Sequence, residues 1–149
     1  MGGMKRSELP YSPLDVIRSS PAHTILASLI DATGLQNEFM NASEVFAPTD
    51  DALRPIADAL AQDLELKEDE KAEIVRLLLH RHRIRNPIKF SGLYCTEDGG
   101  AQAFVDTEGS DVPKRVHGIK VDATVPTQLG RVHVLSQPII PEEPTFCSM

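Results

Sequence analysis

The sequence has no tryptophan, two tyrosines and two cysteines, and no apolar run approaching the ~20 residues needed to span a bilayer. Each scarcity excludes something. Cys95 and Cys147 are too few and too far apart for a disulfide framework or a zinc site. They read as two ordinary thiols, with a single disulfide between them as the other reading. Basic residues are also in deficit, 15 Lys and Arg against 22 Asp and Glu, for a net charge of -7. That balance opposes a phosphate backbone, so no nucleic-acid partner is expected.

The first ten residues lack the apolar core of a secretory signal. Arg6 stands where myristoylation needs Ser or Thr, and Cys147 is one place too near the end for prenylation. As written, the chain is expected to carry no signal peptide, lipid anchor or membrane span. What is present is ordinary for a soluble core: 41% hydrophobic and 25% charged residues over 149 positions, which fits one domain and argues against a disordered or fibrous chain.

Before Val45 the pattern is helical. Ser12 and Pro13 offer an N-cap and a first helical position for a short helix through Ile17, and Ser20 with Pro21 repeats that arrangement. In the second helix Ile25, Leu26, Leu29 and Ile30 share a face, and Gly34 supplies the stop. Val45 and Phe46 read as a buried strand that Pro48 ends, because proline cannot donate to a ladder. Thr49, Asp50 and Asp51 are then expected to cap the following helix, and Pro55 to break it into a single turn and a second helix from Pro55 to about Leu64.

A longer helix is predicted from Glu68 to about His82, acidic at its start and basic at its end as the helix dipole favours. Val75, Leu78, Leu79 and His82 fall on its apolar face, so His82 is expected inside and His80 outside. After Pro87 the chain turns to strands, broken at 97–100 and 108–111. Ile119, Val121, Ala123 and Val125 alternate with Lys120, Asp122 and Thr124, as in a strand with one buried face.

Four segments in this order resemble the fasciclin-like domain family: Val45-Phe46-Ala47-Pro48-Thr49-Asp50, Leu77-Leu78-Leu79-His80-Arg81-His82, Val116-His117-Gly118-Ile119 and Val132-His133-Val134-Leu135 through Pro141. The resemblance covers roughly 13–141 and implies a single α+β domain over 1–149, with a helical layer on a wedge-shaped, mostly antiparallel β-sandwich. It further implies a non-enzymatic binding or adhesion module, extracytoplasmic or at the cell surface, making protein or glycan contacts in the matrix. Two departures qualify it. Arg81 replaces the tyrosine of the family's Tyr-His pair, which some animal members use for integrin contact, and Ser136 stands where an aspartate is usual. Integrin adhesion is therefore not carried over.

His80 and His82 sit two residues apart, ~200° around a helix axis, and cannot chelate one ion; zinc helices use i and i+4. No metal or cofactor is expected. Thr49, Asp50, His82 and His133 read as structural motif residues, the histidines as buried hydrogen-bonding groups. The remaining feature is a basic cluster within an acidic chain: Arg76, Arg81, Arg83, Arg85 and Lys89. It reads as a solvated helix end that complements the dipole, or as a contact with an acidic glycan or protein surface, made by a monomer. A reading from another class is a soluble intracellular or periplasmic domain that binds a small ligand or metal.

Overall fold

The computed structural model describes residues 8–96 and 102–139. Five helices come first in the chain, interrupted by one strand: α1 (Pro13–Ser19), α2 (Thr24–Thr33), α3 (Gln36–Met40), β1 (Glu44–Pro48), α4 (Asp50–Gln62) and α5 (Glu68–His80). Six strands follow: β2 (Arg83–Ile84), β3 (Gly92–Cys95), β4 (Gln102–Asp106), β5 (Arg115–Val116), β6 (Ile119–Pro126) and β7 (Arg131–Leu135).

The helix ends show which sequence signals govern. The Ser12 hydroxyl accepts the Asp15 amide at the start of α1. At Ser20 the same signal gives a turn instead, because its hydroxyl engages the His23 ring at 2.7 Å, and α2 begins only at Thr24. Gly34 ends α2 with φ 73°, a left-handed conformation that glycine adopts without strain. α3, a five-residue helix absent from the sequence expectation, follows at once. α4 runs unbroken through Pro55, contrary to the predicted break. Pro55 forgoes one bond, to the carbonyl of Asp51 in the first turn, and Asp51 is exposed.

The strands follow one hydrogen-bonded order, β2-β1-β7-β6-β5-β4-β3. All pairs are antiparallel except β1 with β7, where Phe46 lies beside His133 in parallel register. The expected sandwich is thus a single mixed sheet whose two ends share β6: Ile119 and Lys120 pair with β5, and 121–126 pair with β7. A bulge between Val121 and Ala123 marks the change of partner. It also breaks the predicted alternation, because one extra residue reverses which face later side chains take. Ala123 is exposed, and the Thr124 hydroxyl comes within 2.9 Å of His133 Nδ1.

β1 and β7 divide the interior in two. Val45, Ala47 and Val132 face the helices and pack with Leu26, Ile30, Phe39, Leu53 and Leu79. Phe46 and Leu135 face the other way, with Ile84, Ile88, Val105, Val116 and Ile139. Burying a side chain of this size contributes about 1.5–3 kcal/mol, so both faces of β1 carry stability.

Two turns depend on backbone freedom. His117 and Gly118, at φ 49° and 75°, make the two-residue connection between Val116 and Ile119, as a mirror-image hairpin turn requires. Gly130 enters β7 with its α-carbon against the 42–43 backbone. A Cβ there would lie 2.7 Å from the Ser43 carbonyl oxygen and closer still to that of Ala42.

Candidate functional site

The motif at the β1–α4 corner assembles differently from expectation. Thr49 makes no side-chain cap of α4. The Asp50 carboxylate instead reaches α2, accepting the Ile25 amide at 2.8 Å and the Thr24 hydroxyl at 2.7 Å. His23, at the N-cap of α2, offers no side-chain cap, so Asp50 supplies one from another helix. Burial would raise the Asp50 carboxyl, but the Ile25 and Thr24 hydrogen bonds outweigh it and hold the group below its ordinary range.

Ser20 and His23 bring a hydroxyl and an imidazole together. The ring accepts from the Ser20 hydroxyl through Nδ1 and donates through Nε2 to the Ala47 carbonyl at 3.1 Å. That geometry ties α2 to β1, and the ring is 5% exposed. Among the described residues no group of three or more His, Cys, Asp or Glu could hold a metal ion.

A second buried polar set joins β1, β6 and β7. Glu44 accepts from Arg131 Nε and Nη2 at 3.0 and 2.9 Å, from the Ile88 amide at 2.9 Å and from His133 Nε2 at 2.6 Å. His133 accepts the Thr124 hydroxyl on Nδ1, and its ring leans on Phe46 with centroids 5.1 Å apart. Burial would raise the Glu44 carboxyl, yet His133, Arg131 and the Ile88 amide hold it below its ordinary value. Burial lowers His133, and the nearby Glu44 only partly restores it. The set is a carboxylate paired to an arginine, with a neutral histidine donating to it. His82 is likewise buried, in the turn after α5, with Nδ1 2.7 Å from the Leu78 carbonyl and Nε2 accepting the Ile139 amide.

The basic residues do not form one patch. Arg76 lies on α5 and donates to the Thr33 carbonyl at the end of α2, and also to Glu73. Arg83, read from sequence as a surface residue, is 3% exposed. Its guanidinium donates to the Glu38 carbonyl and to His80 Nδ1, and lies 5.3 Å from the centre of the Phe39 ring. The reason is its place on β2, paired with β1 and covered by α3. Arg81 is half-buried, whereas Arg85 and Lys89 are exposed.

Arg85 borders two recesses. One, of about 320 Å³, is lined by Asn37, Glu38, Asn41, Ala42 and Arg83. The other, of about 410 Å³, lies against Asn86, Leu93, Tyr94, Cys95 and Thr96. Lys89 borders a third, with Asp111 and Arg131. The surface thus offers one exposed guanidinium between amide-bearing α3 and the apolar flank of β3. There Leu93, 62% exposed, sits directly across from Phe104, 48% exposed. No sequence pattern marked Asn37, Asn41 or Leu93, since they meet Arg85 only through the fold.

Cys95, read as an ordinary thiol, is disulfide-bonded. Cys147, the other cysteine of the chain, lies outside the described residues, as does the expected break at 97–100. Among the described residues no helix is long and apolar enough to cross a membrane.

Comparison with known proteins bears on all of this. A family model described as the fasciclin domain matches residues 21–141. A FAS1 domain pair from the insect cell adhesion molecule fasciclin I is similar in structure, with a TM-score of 0.66 at 14% sequence identity. That similarity covers 89% of this chain and 52% of the domain pair, so the chain spans about half its length. No curated protein matches the chain in sequence.

Proposed function

Because the chain belongs to the fasciclin domain family, whose members are in general non-enzymatic adhesion modules, we propose that it mediates contacts with a protein or acidic glycan at the cell surface or matrix. The observation that carries this reading is the exposed Arg85 between the α3 recess and the apolar flank of β3. A planar guanidinium recognises carboxylate or sulfate through paired N–H donors, and the neighbouring amides and apolar surface add shape to that charge. In a chain of net charge -7 such a local cation gives orientation and on-rate more than bulk attraction. Lys89 adds an exposed cation at a separate recess, while Arg76 and Arg83 serve the fold.

The disulfide at Cys95 suits an oxidising compartment, which agrees with an extracytoplasmic site of action. The experiment is retention of the intact domain on immobilised heparin, as an anionic probe. Arg85→Glu combined with Lys89→Glu should elute at clearly lower salt than wild type, with the melting temperature nearly unchanged. Equal elution would remove this surface from the account. Arg83 is left intact, because replacing a buried, triply engaged guanidinium would confound binding with stability.

A further inference from the structure

The ring of His82 joins two chain segments through opposite hydrogen-bonding roles. Nδ1 donates to the Leu78 carbonyl on α5, and Nε2 accepts the Ile139 amide at 2.9 Å, four residues past the end of β7. Only the neutral tautomer with its proton on Nδ1 satisfies both partners. His82 and Ile139 are each 1% exposed, and Ile139 packs in the second core with Phe46, Ile84, Ile88 and Leu135. A second proton, on Nε2, would set two donors face to face inside that core.

We propose that His82 is a proton-operated latch: neutral, it holds segment 136–139 against the second core, and protonation releases that segment before the rest of the fold opens.

The surroundings favour release over accommodation of the charge. Arg81 is in the same turn and Arg83 on β2, both cations, and His80 on α5 already faces Arg83. Across Phe46, β1 and β7 contribute Glu44 and His133, but that carboxylate is held by His133, Arg131 and the Ile88 amide. The exposed Arg85 follows β2. The two atoms that His82 does meet are a carbonyl and an amide, neither of which takes up a charge. Burial holds its basicity down to about 4, the Leu78 bond raising it slightly and Arg81 lowering it. With segment 136–139 lifted, the imidazole returns toward its ordinary value of 6.5. Opening is therefore coupled to proton uptake between those two values.

The test is amide hydrogen exchange by NMR on the intact protein, comparing Ile139 with Val132 on the central strand β7. After correction for intrinsic exchange, protection of Ile139 should fall roughly tenfold per pH unit from 6.5 toward 4 and stay below that of Val132, which follows global stability. In His82→Gln, which cannot take up the proton, the Ile139 dependence should flatten. Should that variant not fold, the wild-type 15N shifts of His82 followed with Ile139 exchange decide the matter alone. Ile139 protection independent of pH, or equal to that of Val132 throughout, overturns the latch.

Discussion

His133 Nε2 lies 2.6 Å from Glu44 Oε1, both side chains buried, and the proton between them belongs to the histidine. Arg131 makes that division possible. With His133 and the Ile88 amide, its two bonds to Glu44 hold the carboxyl below its ordinary value, while burial lowers His133 despite its partner. The pair joins β1 to β7, the one parallel contact in the sheet.

Stability should therefore depend on pH in a fixed direction. The folded values of His133 and His82 lie below their ordinary 6.5, so the unfolded chain binds more protons and folding weakens as pH falls beneath 6.5. Glu44, depressed from 4.5, adds a loss of the same sign below that value. Denaturant midpoints measured from pH 8 to 4 should be flat above about 7 and fall steadily below. Glu44→Gln should cost about 2–4 kcal/mol at pH 7 by stranding Arg131 and the Ile88 amide. A midpoint unchanged between pH 7 and 5 would contradict the assignment.

Asp50 and Asp51 are adjacent aspartates with different consequences. Asp50→Ala removes the cap of α2 and should destabilise by about 1 kcal/mol. Asp51 is exposed, with an ion pair to Arg54 in which its own side chain is 94% exposed, so Asp51→Ala should change the melting curve little. Equal effects in paired thermal melts would mean that the cross-helix cap is not felt.

Gly130→Ala should be among the most damaging single-methyl additions in the chain. The added carbon collides with backbone carbonyls at Ala42 and Ser43 rather than with a flexible side-chain end. Either β7 or the 42–43 segment must then move, and the Ser43 carbonyl accepts the Arg131 amide at 2.9 Å. A loss of about 2 kcal/mol or more in chemical denaturation is expected. By contrast, Gly92→Ala meets no atom within 4 Å and should be nearly silent.

Much of the fold is legible in local chemistry. The stop at Gly34, the strand ending at Pro48, the acidic start of α5 and the turn at His117 and Gly118 each need only nearby residues. The Asp50 cap, the β6 bulge and the burial of Arg83 need partners distant in the chain. Local chemistry points Asp50 at its own helix, where an aspartate in the first turn is favoured. Nothing local says that His23 leaves α2 without a side-chain cap. The candidate site was half legible: the basic residues stand out, but which of them face outward follows from β2 lying against α3.

The adhesion reading is tested most directly by the fraction of domain-coated beads that stay on a sulfated-glycan-bearing cell layer under fixed shear. Wild-type beads should be retained, and Arg85→Glu with Lys89→Glu should lower retention several-fold. Arg54→Glu with Lys120→Glu, an equal charge change at other exposed positions, should leave it near wild type. Equal loss in both variants, or in neither, would contradict a contact surface at Arg85.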